Sequence, residues 1–265
     1  MNLAKSTYYY HKAALAKPDS DESLKAKIAA LFHEHKGRYG YRRITAMLQK
    51  DFPINHKKVQ RIMQLLNLKS LVRPKKYQSY KGKAGKIAKN ILKRNFKAQK
   101  PNQKWVTDVT EFKVNGEKLY LSPILDLYNQ EIISYEVARN SKYELVGKML
   151  NKALKHLKLH KKGRKKLILH SDQGWQYQMK QHQQSLKDHQ VRQSISRKGN
   201  CYDNAVIENF FGILKSECFH TKKFESVDQL EKELHEYIDY YNNDRIKLKL
   251  KGLSPIEYRN QSLSL

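Results

Sequence analysis

The sequence predicts an all-α front joined to an α/β core, the core built on a mixed five-stranded sheet flanked by helices. Three observations carry this. Apolar residues recur at helical spacing up to Leu66, and from Trp105 the pattern becomes an alternation rich in β-forming residues. Charge divides at the same place: residues 1–104 hold 26 Lys+Arg and 5 Asp+Glu, and residues 105–265 hold 27 and 20. Between the two textures, residues 75–104 carry eleven basic residues and no acidic one. The expected organisation is a helical domain over 1–74, a basic linker over 75–99 and a core over 100–265.

In the front, Pro18-Asp19-Ser20-Asp21-Glu22 is a helix start, with a capping serine and acids in the first turn. Leu24, Ile28, Leu31 and Phe32 then form one apolar face, which Gly37 and Gly40 break. A second short helix turns Ile44, Met47 and Leu48 inward. Asn55 caps a third, with Val59, Ile62, Met63 and Leu66 inside and His56, Lys57, Lys58, Gln60, Arg61 and Gln64 on its other face. Three short helices, the last with a basic and amide-rich face, read as a helix-turn-helix. Gln60, Arg61 and Gln64 are of the type that reaches base edges, whereas Lys57 and Lys58 hold phosphate. Arg42 and Arg43 are either phosphate contacts or surface charges. A patch from Ile87 to Phe96 has helical character.

In the core, WVTDVTEF is a strand with Asp108 near its middle. After a turn at Asn115-Gly116, LYLSPILDLY and EIISYEVA complete an antiparallel meander. Ser141 caps a helix with Leu145, Val146, Met149, Leu150 and Leu154 inward. LILH is a short buried strand with Asp172 just past its end. A helix covers roughly 175–187, VRQSIS is the fifth strand, and further helices span about Asn204 to Glu217 and about Ser226 to Tyr241. The last either packs on the core or forms a subunit contact.

Composition narrows the function. The 265 residues include 53 Lys+Arg against 25 Asp+Glu, a net charge of +28. Such a charge repels itself unless it meets a polyanion, so nucleic acid is the first partner to expect. With 39% hydrophobic residues the chain can build a core and is no disordered basic tail. No apolar run reaches membrane-spanning length, and the first residues lack the apolar stretch of a signal peptide. Two cysteines, Cys201 and Cys218, make no disulfide scaffold and fit a reducing cytosol. Without a Cys-x-x-Cys pair a structural zinc is not expected. His156 and His160 are four apart, but in a basic run that reads better as phosphate-facing or solvated.

The acids point to a reaction. The order of strands and helices brings Asp108, Asp172 and Glu208 to one edge of the sheet. Phosphodiester cleavage needs an activated water or hydroxyl and a stabilised leaving oxygen, which two Mg²⁺ ions about 3.5–4 Å apart provide. Mg²⁺ favours a few carboxylate oxygens, retained waters and substrate phosphates. Three bare acids would repel one another, although single acids on strands often only pair with a nearby Lys. Asp126 competes for the role, within flanks of ordinary core. His170 either steers the nucleophile or packs, and Asn204 orients Glu208 or the DNA. Asp203 belongs to a turn or cap. Trp175 and Tyr177 either stack on an unpaired base or pack.

WVTDVTEF, HSDQGWQY and NAVIENFFGILKSE resemble the three catalytic blocks of the OrfB-type transposases of bacterial insertion sequences, the family-three group of the retroviral integrase superfamily. The 35 residues between Asp172 and Glu208 match the spacing of its DD(35)E subgroup. The resemblance implies a ribonuclease-H-like core behind a helix-turn-helix domain. It also implies a catalytic triad of Asp108, Asp172 and Glu208 holding two Mg²⁺ ions, with Mn²⁺ as a substitute. Lys215 matches the family's basic residue beside the scissile phosphate. The tail DYYNNDRIKLKLKGLSPIEY is similar to the closing motif, with Arg245 expected on DNA and Lys247 where many relatives have His.

The implied activity is binding of terminal inverted repeats, then cleavage at 3′ ends and strand transfer into double-stranded DNA. The implied setting is a dimer or larger assembly in the cytoplasm at the nucleoid, with an upstream-frame partner or fusion in some members. The rivals are a non-catalytic DNA-end-binding regulator and a structure-specific nuclease of the same fold. The complete triad with Lys215 speaks against the first, and the DNA-reading front against the second.

Overall fold

The computed structural model describes residues 4–9, 21–71, 88–159, 167–197 and 201–263. The chain divides into two compact units, residues 1–71 and 72–265.

The first unit is built on helices α1 (Glu22–Glu34), α2 (Tyr41–Leu48) and α3 (His56–Leu65). Ile28, Phe32, Ile44, Leu48, Val59, Ile62 and Met63 form its buried interior, as the helical spacing predicts. Gly37 turns the chain after α1 with a φ of +70°, a conformation that suits glycine. The Asn55 side chain accepts from the Lys57 N–H at 2.9 Å and caps α3. The expected serine cap of α1 lies outside the described residues. Asp21 holds the N-cap position, but its side chain does not cap. It reaches instead to α3, pairing with Lys58 at 2.7 Å and Arg61 at 2.6 Å.

The second unit holds β1 (Lys104–Thr107), β2 (Thr110–Val114), β3 (Glu117–Asp126), β4 (Ile132–Ala138), β5 (Ile168–Ser171) and β6 (Arg192–Ile195). Asn115 and Gly116 both take positive φ and close the β2–β3 hairpin. The sheet therefore has six strands where five were expected. The extra strand comes from a break within WVTDVTEF. β1 and β2 pair with β3 in one register, Thr107 with Ile124 and Thr110 with Leu121, so that register sets Pro123 opposite Asp108. The Pro123 carbonyl faces this side, accepting from the Thr107 hydroxyl at 2.8 Å. Proline has no N–H to offer back, and the ladder opens at Asp108 and Val109. The sheet is still five positions wide: β4, β3, the broken β1/β2 strand, β5 and β6. β5 runs parallel to both β1 and β6, and the remaining pairs are antiparallel.

Each face of the sheet is covered. On one, α4 (Tyr143–Leu159) presents Val146, Met149, Leu150, Ala153, Leu154 and Leu157 to Trp105, Ile124 and Leu169. On the other, α7 (Ala205–Leu214) and α8 (Val227–Asn243) cover Val106, Phe112, Leu121 and Leu125. Trp105 and Val106 thus point to opposite cores, as strand alternation requires. The helix expected over 175–187 is two, α5 (Trp175–Gln178) and α6 (Lys180–Asp188), because Met179 adopts an extended conformation between them. The Ser226 side chain caps α8, and α9 (Pro255–Leu263) closes the described chain.

Residues 88–98 form no helix. This later part of the stretch expected as linker is packed on the second unit. Leu92 is buried in its core, and the Ile91 and Leu92 N–H groups donate to Ser194 Oγ at 2.9 and 3.1 Å. Among the described residues no helix is long and apolar enough to cross a membrane.

Candidate active site

Asp108 follows the last residue of β1, and Asp172 the last residue of β5. These strands are parallel neighbours, with Val106 beside His170, and the same register carries Asp108 level with Asp172. Two carboxylates therefore stand at the carboxyl ends of adjacent central strands, about one strand spacing of 4.8 Å apart in backbone terms. Glu208 is in the first turn of α7. That helix is tied to β1 by Asn204, whose Nδ2 donates to the Thr107 carbonyl at 3.3 Å, one residue before Asp108.

The Asp108 carboxyl feels the charges of both other acids. Burial pushes the Asp108 carboxyl well above the usual carboxylate range, and the charges of Asp172 and Glu208 push it further; the Val109 N–H and Lys215 pull it back. Burial also raises Asp172, against the Gly174 N–H that donates to its Oδ1 at 2.9 Å. Such crowding of like charge is what a divalent cation relieves. Among the described residues no group of three or more acidic, histidine or cysteine side chains is arranged so that it could hold a metal ion. Asp108, Asp172 and Glu208 offer only carboxylate oxygens, the donor type that a hard divalent ion takes beside water and phosphate oxygens.

Neighbouring residues take different places. Lys215 lies over the Phe112 ring at 5.2 Å while its charge acts on Asp108. His170 is buried, bonds Ser194 Oγ at 2.8 Å, and is pushed down to about 4 by burial, so it is neutral at pH 7. Tyr177 is buried, which raises its hydroxyl well above the usual range, and the charges of Asp108 and Asp172 raise it further. Trp175 is 54% exposed. The pair that read alike in sequence thus separates into one packed and one open aromatic. Asp126 is buried and accepts from the Asn102 and Tyr128 N–H groups at 2.6 and 2.9 Å; burial raises it to about 6. It pairs across the ladder with Trp105, at the other end of β1 from Asp108.

Two acids were underestimated by sequence reasoning. Asp203, expected in a turn or cap, is fully buried and gathers Arg94, Arg197 and Asn90 at 2.8–3.1 Å. Arg197 and Arg94 hold its carboxyl well below the usual range. Glu217, expected only as the end of a helix, is 2% exposed. Its signal was its place three residues after Leu214, in the wider turn that continues the buried face of α7.

On the first unit, Lys57, Lys58, Arg61 and Gln64 of α3 are exposed and Gln60 is half-buried. Arg42 is exposed and bonds Tyr41 Oη at 3.2 Å; Arg43 lies over the Tyr39 ring at 5.2 Å. Arg245 departs from expectation. It is 2% exposed and grips Glu217 through Nε at 2.7 Å and Nη2 at 2.6 Å, so it is a buried structural cation and not a surface contact for DNA. Cys218 is buried, and its thiol donates to the Glu233 carbonyl at 4.0 Å.

The integrase core domain that the chain matches places it in the DDE polynucleotidyl transferase class. Residues 98–201 and 208–263 match models of the integrase core domain, and residues 19–76 match an HTH-like domain. InsK of insertion sequence element IS150 from Escherichia coli (strain K12) is 54% identical over 98% of this chain and 91% of its own. The transposase for insertion sequence element IS904 from Lactococcus lactis subsp. lactis (strain IL1403) is 34% identical over 89% of this chain and 93% of its own. The HTLV-2 integrase catalytic core domain, solved in complex with magnesium, is similar with a TM-score of 0.47 and 16% identity, over 62% of this chain and 99% of that one. The chain belongs to the insertion-sequence transposases that carry an integrase core domain.

Proposed function

We propose that this transposase binds the terminal inverted repeats of its insertion sequence, cleaves at the 3′ ends and transfers the freed strands, with Asp108, Asp172 and Glu208 as the catalytic triad. The observation that carries the reading is the setting of Asp108 level with Asp172, with the charge of Glu208 felt by Asp108. Asp108, flanked by the other two, would serve both Mg²⁺ or Mn²⁺ ions, with Asp172 and Glu208 each holding one. When bound, the ions supply the charge that activates the attacking oxygen and stabilises the leaving one.

The chain's own residues do the rest. Lys215 offers positive charge to the phosphate beside the cluster. Asn204 keeps α7 against β1. His170 stays neutral and supports the strand ends rather than moving protons. Trp175 is the aromatic open to an unpaired base at a cleaved end. On the first unit, Gln60, Arg61 and Gln64 read the repeat, while Arg42, Arg43, Lys57 and Lys58 hold phosphates. We place the DNA-binding domain at 1–74 and the catalytic region at 100–265. Two ends must meet, so the active form is a dimer or larger assembly on DNA in the bacterial cytoplasm, alone or with an upstream-frame product.

The test is a joining assay with labelled element ends and Mg²⁺. Asp108→Asn and Glu208→Gln should each lower cleavage and joining by about a thousandfold or more while end binding persists. Joining at the wild-type rate by either variant removes the triad assignment.

A further inference from the structure

Glu217 stands where a core residue belongs. Ile207, Phe210, Phe211 and Leu214 form the buried face of α7, and Glu217 and Cys218 continue it at 2% and 0% exposure. The carboxylate is held on every side. Arg245 clasps it with two bonds, Tyr237 Oη donates to Oε2 at 2.9 Å, and the guanidinium lies 5.7 Å from the Tyr241 ring centre. At this point the helix widens: the His220 N–H donates to the Lys215 carbonyl at 2.8 Å, five residues back instead of four. The wide turn begins at Lys215, the residue whose charge reaches Asp108.

A buried Arg–Glu pair is a poor source of stability, since well-packed apolar residues of similar volume do as well or better. What the planar fork supplies is direction: two parallel bonds fix the carboxylate, and with it the backbone. We infer that Glu217 and Arg245 are positioning residues, which lock the wide turn and so set where the Lys215 ammonium stands against the acid cluster. The closing segment of the chain thereby contributes to the active site without touching DNA. This rests on the reading of the cluster as the cleavage and joining site.

The experiment uses the full chain and a labelled duplex of the element's own terminal sequence, already cut to leave a free 3′-hydroxyl. Single-turnover joining at saturating DNA and end-binding affinity are measured for Arg245→Lys and Glu217→Gln, alone and combined with Lys215→Ala. Arg245→Lys keeps the charge and loses the fork. It should slow joining by roughly ten- to a hundredfold, leave end binding unchanged, and cost nothing more once Lys215 is alanine. Losses that multiply in the double variant, or wild-type joining by Arg245→Lys, would overturn the inference. Glu217→Gln carries the same cycle if Arg245→Lys does not fold. If neither folds, the pair is a stability element and the inference falls. Asp108→Asn runs in parallel: normal joining by that variant sinks the catalytic reading itself, a different failure from an additive cycle.

Discussion

The Gly174 N–H donates to Asp172 Oδ1 at 2.9 Å, and its α-carbon lies so near that an added methyl group would meet the same oxygen at 3.0 Å. That methyl would also meet Gln176 Oε1 at 3.1 Å and Tyr177 Cδ2 at 3.2 Å. The φ of −52° suits any residue, so the constraint is space and not backbone strain. Gly174→Ala should push Asp172 out of level with Asp108. The expected cost is about 1–3 kcal/mol of stability and at least about tenfold in joining rate. Chemical denaturation and the joining assay measure the two. Unchanged joining would mean that Asp172 has room to move.

Asn204 spans from the start of α7 to the end of β1. Asn204→Ala removes the donor to the Thr107 carbonyl, at about 1 kcal/mol of stability. Because the lost bond ends one residue from Asp108, joining should fall about tenfold while gel-shift affinity for element ends holds. A parallel fall in affinity would point to a DNA contact instead.

Asp203 predicts a pH dependence. Its folded pKa is depressed by Arg197 and Arg94, so its contribution is present above the unfolded value of about 3.9 and is lost as pH falls below it. Asp203→Asn should be less stable at pH 7 by about 3 kcal/mol. The gap to the wild type should stay level from pH 7 to about 5 and close below about 4. Urea titrations across that range measure it. A gap that widens toward low pH would show that the carboxylate is not ionised in the folded chain.

On the first unit, Asp21 already occupies two of the cations proposed for DNA. Asp21→Asn should free Lys58 and Arg61, tighten binding to any duplex and steepen its salt dependence by roughly 0.9 in log K per log salt for each phosphate gained. Arg61→Ala should instead weaken the preference for the inverted repeat over random duplex. An unchanged preference would exclude α3 as the reading helix.

Much of this protein is local, and local features are legible in a sequence. Helical spacing picked out Ile28, Ile44, Val59 and Ile62 as interior, and alternation placed Trp105 and Val106 in a strand. Asp108 and Asp172 were legible at strand positions and Glu208 on a helix, but as a set the three were singled out by the resemblance of WVTDVTEF, HSDQGWQY and NAVIENFFGILKSE to the catalytic blocks of insertion-sequence transposases. The tertiary structure decided what depends on distant partners. Pro123 is visible in the sequence, but only the β3 register sets it opposite Asp108 and splits the strand. Arg245 reads as one more cation for DNA until Glu217, 28 residues away, takes it into the core. Lys58 and Arg61 read as free until Asp21 meets them. Periodicity reports which side of an element faces inward. Whether a charge meets solvent, nucleic acid or an opposite charge is set by chain segments that meet only in the folded molecule.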